Sequence, residues 1–361
     1  MDRVMQPKQS LAFGDLLHRR PRTTANDKSL MKEGLTQTPS AAVLSSNEKE
    51  YPAMDAASEV GEGLAGFTLR ELYISFRFVR YDLLVTVLPG AMLTLATHIK
   101  GATIFGTAAN LTPIWRSLPS SIFWMWLFVY VTTLANQITG AEEDAVNKPS
   151  RPIPSKLVTI SSAQKRFVWV CGLFVLVGSC LGNGVLSLAW VADVLVVELW
   201  GPSSTYLHWL TKPLFMVIGI LIMGLGNPNI VGPITKHHPT VLYIGAIAIA
   251  TGLFGFNIQD IRDVEGDRSR GGRRTLPLLV GEVAARHLCN MLLLCCWGIL
   301  HLALKALHRP QNFATSMVIL VWCIFLCIRT LLFRSPAQDH KTYMFFVYLY
   351  SFVLFSYLWA V

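Results

Sequence analysis

The stretch VLYIGAIAIATGLFGFNIQDIRDVEGD, from Val241 to Asp267, decides the fold of this chain. It carries no charged residue before Asp260, and three aspartates then follow within eight positions. An apolar run of about 20 residues is long enough to cross the hydrocarbon core of a bilayer. The stretch therefore predicts a membrane-spanning helix that ends in an acidic loop.

The composition of the whole chain agrees with this interpretation. Of the 361 residues, 52% are hydrophobic and 15% are charged, whereas a soluble domain carries about 25% charged residues. The formal net charge is +9, but the basic residues cluster in the N-terminal tail and in two loops. That pattern favours cytosolic loop bias or anion binding over nucleic-acid binding. The seven cysteines lie in apolar runs, which is typical of packing residues.

The repeated apolar runs predict an all-α, polytopic membrane protein. Residues 1–65 are polar and lack periodicity, which predicts a disordered cytosolic tail. Residues 66–361 form the predicted transmembrane domain, which starts with an interfacial helix. About nine spans follow, with approximate centres at residues 90, 128, 175, 193, 219, 249, 296, 323 and 352.

The second and the sixth span each run into an acidic loop. The first of these loops is ANQITGAEEDAVNKPSRPIPS, from Ala135 to Ser155, and the other begins at Ile258. Four crossings separate the two loops, so both should emerge on the same side of the membrane. Because both loops are rich in Lys and Arg, the positive-inside rule places them in the cytosol. The endoplasmic reticulum is the expected membrane.

In the second loop, Asp260, Asp263 and Asp267 fall within about 60° of one another on one helical face. Carboxylates held together without His or Cys suit Mg²⁺ rather than zinc. A glycine-containing cluster of basic residues follows and suggests a phosphate ligand: Arg268, Arg273 and Arg274. The alternative is an ordinary polar loop whose acids pair with its own arginines.

The first loop repeats the pattern less regularly. Asn136, Glu143 and Asp144 share one helical face if the helix persists, which makes them candidate ligands of a metal ion. Lys148 and Arg151 are candidate donors to an anion. Acids and bases in both loops predict a polyphosphate bridged by metal, with Asp144, Asp260 and Asp263 as the candidate catalytic acids.

A diphosphate at the membrane surface with an apolar body among helices is an isoprenyl diphosphate. Ionisation of its carbon–oxygen bond would give an allylic cation, which aromatic faces stabilise. The candidate aromatic residues precede the two loops: Trp124, Trp126, Phe128, Tyr130, Phe254 and Phe256.

These motifs resemble those of the UbiA superfamily of intramembrane prenyltransferases, in which NDxxDxxxD and DxxDxxxD follow the second and sixth of nine spans. The second motif is matched in full by Asp260, Asp263 and Asp267. In the first motif, Gln137 and Gly140 replace two aspartates, as in a fungal branch that includes terpene cyclases. The resemblance implies a bundle of nine helices around a central cavity and a requirement for Mg²⁺.

The resemblance also implies a reaction. A cyclase of this branch would ionise farnesyl diphosphate and close it to a sesquiterpene, with β-trans-bergamotene as one candidate product. A prenyltransferase would pass the prenyl group to an aromatic or polyketide acceptor instead. The third reading is a non-catalytic transporter or scaffold that binds ions, but the spans contain few of the charges that an ion path requires.

Overall fold

The computed structural model describes residues 63–106, 110–200, 208–234, 237–269 and 274–361. Within these ranges every regular element is helical, which confirms the predicted all-α class. The predicted disordered tail falls almost wholly outside the described residues. Its last two positions, Leu64 and Ala65, already belong to the first helix.

Sixteen helices follow one another in the described ranges. They are α1 (Leu64–Val79), α2 (Val87–Ile99), α3 (Gly101–Phe105), α4 (Ile114–Thr139), α5 (Ala141–Asn147), α6 (Ile160–Cys180), α7 (Gly184–Val194), α8 (His208–Val231), α9 (His238–Ile247), α10 (Ile258–Arg262), α11 (Val264–Ser269), α12 (Leu276–Val280), α13 (Glu282–Ala306), α14 (Asn312–Leu332), α15 (Pro336–Phe355) and α16 (Tyr357–Ala360). A π-helical segment, Leu195–Trp200, extends α7, and a second one, Ala248–Phe254, extends α9.

Helices lie at all nine predicted span centres. Among the described residues, seven helical segments are long and apolar enough to cross a membrane. The other two centres lie in α2, which has 13 residues, and in α7, which has 11 before its π-helical extension. The integral membrane class is therefore confirmed, and the count of nine spans stays a prediction.

The long helices form a closed ring around an internal cavity. Each packs on its successor in the order α2, α4, α6, α7, α8, α9 with its π segment, α13, α14 and α15, and α15 returns to α2. Close approach within the ring depends on small residues, as is common between membrane helices. At Gly252 in the π segment, an added Cβ would lie 2.7 Å from the backbone nitrogen of Val217 in α8.

Buried hydrogen bonds join three helices on the side of the ring away from the acidic loops. The Thr94 hydroxyl donates to Ser121 Oγ over 2.8 Å, and Ser121 donates to Asn227 Oδ1 over 2.5 Å. These residues lie in α2, α4 and α8 and are fully buried. Polar groups in hydrocarbon require such partners, so the network fixes the mutual placement of the helices that carry the cavity.

Candidate functional site

The two acidic loops meet at one end of the ring. Helix α5 of the first loop packs on α11 of the second, and the Asn147 side-chain amide donates to the carbonyl oxygen of Asp263 over 3.4 Å. An added Cβ on Gly266 would lie 1.9 Å from Asn147 Nδ2, so this contact requires glycine. The prediction that both loops emerge on the same side is thus confirmed.

Below the loops lies a cavity inside the ring, here called the inner cavity. Five of the predicted site residues line it: Asn136, Glu143, Lys148, Asp263 and Asp267. Its remaining lining is largely apolar and aromatic and includes Phe128 and Phe256. On α4, Phe128 lies eight residues before Asn136, which is a rise of about 12 Å. The cavity therefore has a charged end at the loops and an apolar end within the bundle.

The three aspartates of the second motif have different surroundings. Asp260 is buried and forms an ion pair with Lys212 of α8. Both Asp263 oxygens accept from Arg262, each over 2.7 Å. Asp267 is 3% exposed and lines the inner cavity together with Lys212. Lys212 was not among the residues predicted from the sequence, although a lysine near the start of an apolar span is itself a signal of function.

The crowding of these charges moves two pKa values in opposite directions. Burial alone would raise the pKa of Asp263, but hydrogen bonds from Arg262 and the charge of Lys148 hold it well below its usual range. Burial raises the pKa of Asp267 to about 7, and the charges of Asp260 and Asp263 add to this against the opposing effect of Lys212. A further cation at this end would favour the charged form of Asp267.

In the first loop, the helix breaks between Thr139 and Ala141, and the predicted ligands lie on both sides of this break. Asn136 and Glu143 line the inner cavity. Asp144 is 2% exposed and does not line it; instead, both of its oxygens accept from Arg151 Nη1 over 2.8 Å. Gln137, which replaces a family aspartate, is fully buried away from the cavity.

The predicted anion-binding residues are spread over two spaces. Lys148 lines both the inner cavity and an adjoining outer chamber at the loops. Arg151 and Arg268 line the outer chamber alone, and Arg268 lies 3.6 Å from Glu282 in an exposed ion pair. Arg274 is exposed and lines neither space. Arg273 lies outside the described residues.

Lys148 gives the site a defined pH dependence. Its pKa is lowered to about 8, first by burial and then by the charge of Arg151. The ammonium group of Lys148, the predicted donor to an anion, is present below this pH and is lost above it. We expect kcat/KM of the wild-type enzyme to fall as pH rises through about 8.

Arginine keeps its charge in this range, so Lys148→Arg should remove the alkaline decline in kcat/KM. Lys156→Arg, at an exposed position of the same loop, should keep the wild-type profile. An unchanged pH profile of Lys148→Arg would show that Lys148 does not bind the anion.

Aromatic rings form the apolar end of the cavity. Phe128 and Trp190 stack with centroids 4.2 Å apart, and Trp190 lies 4.7 Å from Phe215. Phe256 and Tyr350 meet edge to face at 5.3 Å on another part of the wall. Gly219 admits this arrangement, because an added Cβ there would lie 2.9 Å from the Trp190 ring.

Two of the six predicted aromatic residues, Phe128 and Phe256, line the inner cavity. Trp124 packs on Phe174 and donates to Ser187 Oγ over 2.9 Å, and Phe254 does not line the cavity. Trp126 and Tyr130 line a different groove. Sequence reasoning missed other aromatic lining residues, because nothing in their spacing distinguishes them from packing residues: Trp190, Phe215 and Tyr350.

The donor set at the charged end suits a hard cation. Asn136, Glu143, Asp263 and Asp267 offer oxygen atoms, which Mg²⁺ prefers. In the described part of the chain, no three acidic, His or Cys side chains converge closely enough to hold a metal ion. Asp144, Asp260 and Asp263 are each held in a salt bridge with a basic side chain. The residues have the oxygen ligands that Mg²⁺ requires, and their carboxylates would have to turn toward a bound ion.

The ring of helices, the paired acidic loops and the cavity with a charged and an aromatic end define an integral membrane protein with an amphipathic internal cavity. Residues 94–350 match the model of the UbiA prenyltransferase family. The chain belongs to that family.

Three curated relatives illustrate the range of the family. The diterpene cyclase eriG of Hericium erinaceus is 32% identical over 79% of this chain and 87% of its own. The polyprenyl transferase eriF of the same fungus is 31% identical over 79% and 93%. The fumagillin β-trans-bergamotene synthase of Aspergillus fumigatus is 29% identical over 45% and 55%. The two cyclases among these relatives support the predicted terpene cyclase branch.

A solved structure supports the fold. A UbiA homologue from Archaeoglobus fulgidus, determined with GPP and Mg²⁺, superimposes with a TM-score of 0.50 at 15% identity. The match covers 78% of this chain and 99% of the other. The helical bundle is therefore the family fold.

Proposed function

We propose that the protein is a Mg²⁺-dependent terpene cyclase that ionises an isoprenyl diphosphate and closes it into a ring. The observation that carries this proposal is the inner cavity, where carboxylates and two lysines lie above a wall of stacked aromatic rings. The match to a homologue determined with GPP and Mg²⁺ supports the class of ligand.

The chain's own residues account for the steps of the reaction. Lys148 and Lys212 bind the diphosphate oxygens as charge develops on them, which is the interaction that lowers a barrier most effectively. The allylic carbon–oxygen bond breaks, and its electron pair leaves with the diphosphate. Magnesium, when bound by the oxygen donors, would neutralise the leaving group.

The apolar end controls the fate of the cation. The stack of Phe128, Trp190 and Phe215 forms an aromatic wall whose cavity-facing surface stabilises positive charge, and the closed ring of helices excludes water. The folded prenyl chain attacks its own cation, a carbon–carbon bond forms, and loss of a proton gives a hydrocarbon.

Cyclisation is favoured over prenyl transfer by two observations. The similarity to the cyclase eriG, which covers 79% of this chain, is one. The first motif is the other, since Gln137 and Gly140 stand in place of two aspartates and Gln137 lies away from the cavity. The second candidate is a prenyltransferase with an aromatic or polyketide acceptor, which the similarity to eriF favours.

Farnesyl diphosphate is the proposed substrate and a sesquiterpene such as β-trans-bergamotene the proposed product. The similarity to the bergamotene synthase supports this choice. The similarity to eriG, a diterpene cyclase, favours a diterpene product instead. We further propose that the enzyme lies in the endoplasmic reticulum with both acidic loops in the cytosol, where soluble isoprenyl diphosphates are accessible.

Trp190 should control the yield of cyclic product. Replacing it by leucine removes the central ring of the stack, so we expect turnover to cyclic hydrocarbon to fall about 10-fold and linear alcohol to increase. Trp322→Leu, on α14 outside the inner cavity, is the matched control. An unaltered product distribution in Trp190→Leu would show that this wall does not contact the cation.

A diphosphate-release assay tests the proposed chemistry. Purified protein in lipid nanodiscs is incubated with farnesyl or geranylgeranyl diphosphate, with Mg²⁺ or with EDTA, and without an acceptor. We expect Mg²⁺-dependent release of inorganic diphosphate. Release that appears only after a phenolic acceptor is added would favour the prenyltransferase, and no release under any condition would exclude both reactions.

A further inference from the structure

A second concave surface lies on the outside of the ring, between α1, α4 and α6. This groove, here called the lateral groove, has a volume of about 730 Å³, which lies within the range of about 300–1,000 Å³ that ligand sites occupy. Among the described residues, it shares no lining side chain with the inner cavity or the outer chamber. It is therefore a separate candidate site.

The deep part of the lateral groove is apolar and lies at membrane depth. Along α6 it extends from Ser162 to Leu173, a rise of about 16 Å, which is close to the thickness of one leaflet of the hydrocarbon core, about 15 Å. Trp169 and Phe123 line it and are 80% and 48% exposed. Such surfaces on a membrane-spanning helix contact acyl chains.

The shallow end of the lateral groove is cationic. Arg70, Lys165 and Arg166 line it together with one acid, Glu71, so the four side chains carry a net charge of +2. Arg166 donates to both oxygens of Glu71, over 3.0 and 2.8 Å. Lys165 is exposed and has no ion-pair partner among the described residues. The excess positive charge lies where the headgroups of a bilayer would be.

We propose that the lateral groove binds an anionic glycerophospholipid. One acyl chain would lie along Trp169, Phe123 and Leu173, and the headgroup phosphate would face Lys165 and Arg70. Basic residues at this level attract anionic lipids. A zwitterionic headgroup has no net charge to complement these cations, so the groove discriminates by the net charge of the headgroup.

The lateral groove is connected to the candidate active site through helix α1. Helix α1 forms one wall of the groove, and its last turns hold the first acidic loop. Arg77 Nη2 donates to the carbonyl oxygen of Ser150 over 2.9 Å, and the hydroxyls of Tyr81 and Ser150 lie 2.7 Å apart. Lys148, two residues earlier, lines the inner cavity. A lipid that fixes α1 therefore steadies the loop that carries Lys148.

Native mass spectrometry of the full-length protein in detergent tests lipid binding, with phosphatidylserine and phosphatidylcholine of identical acyl chains. We expect phosphatidylserine to bind about 10-fold more tightly than phosphatidylcholine. Lys165→Glu should weaken phosphatidylserine binding by roughly 10-fold, and Lys165→Gln should weaken it less. Lys341→Glu is the matched control, because Lys341 is exposed and also lies five residues after the start of its helix, α15.

Hydrogen exchange of the same samples tests the coupling to the loop. Phosphatidylserine should slow amide exchange at residues 148–155 in the wild type and in Lys341→Glu, but not in Lys165→Glu. Equal affinity for the two lipids, or equal losses in Lys165→Glu and Lys341→Glu, would overturn the proposed site. Both measurements are independent of turnover, so their failure is distinguishable from a failure of the proposed reaction.

Discussion

Asp263→Asn is expected to lower kcat/KM for the isoprenyl diphosphate by roughly 1,000-fold. Asp263 lines the charged end of the inner cavity and lies beside Asn147, where the two acidic loops touch. Asparagine keeps the size of the side chain and an oxygen that Arg262 can bind, so the fold should survive. What is lost is one of the charges that would hold Mg²⁺ against the leaving diphosphate.

The matched control for this substitution is Glu265→Gln. Glu265 lies two residues away in the same motif but is exposed and does not line the inner cavity. We expect its kcat/KM to remain within about 3-fold of the wild-type value, since an exposed acid away from the ligand contributes little. If folded Asp263→Asn retained a rate within about 10-fold of the wild type, Asp263 would not be a metal ligand in the reaction.

Arg286→Met is expected to produce a large loss of stability, about 3–5 kcal/mol. Arg286 donates to both oxygens of Asp339, each over 2.7 Å, and to the carbonyl oxygen of Thr330 over 2.9 Å. It joins α13, α14 and α15 in this way, and the two charged side chains are 4% and 6% exposed. Methionine would leave the Asp339 carboxylate buried without its partner.

A double-mutant cycle separates the ion pair from simple packing. Thermal unfolding in nanodiscs should show a much lower midpoint for Arg286→Met, and the double variant Arg286→Met/Asp339→Leu should recover most of the loss. Arg268→Met, which breaks the exposed pair with Glu282, should change stability by about 1 kcal/mol or less. A double variant as unstable as Arg286→Met would contradict the account of a buried, mutually dependent pair.

The sequence predicts the all-α membrane class and the placement of both acidic loops on one side. Apolar runs with few charges identify membrane helices because the bilayer imposes a length on them. An even number of crossings between the two acidic loops predicts that both lie on the same side of the membrane. The contact between Asn147 and Asp263 shows that the loops meet. The spacing of Asp263 and Asp267 correctly directs both side chains to one cavity.

Pairings between distant residues could not be predicted in this way. Asp260 pairs with Lys212, 48 positions earlier in the chain, and no local pattern encodes that contact. Glu143 and Asp144 are adjacent in α5, but Glu143 lines the inner cavity and Asp144 pairs with Arg151 instead. Trp190 reaches the cavity because Gly219 of α8 admits its ring, and that depends on packing between helices.

Product analysis tests the central claim most directly. Microsomes that contain the protein are incubated with farnesyl diphosphate and Mg²⁺, without an aromatic acceptor, and the volatile products are identified by gas chromatography and mass spectrometry. The account predicts a cyclic sesquiterpene hydrocarbon in wild-type samples and none with Asp263→Asn or EDTA. Turnover that requires a phenolic acceptor and gives a prenylated phenol instead would contradict the cyclase and establish the alternative reaction.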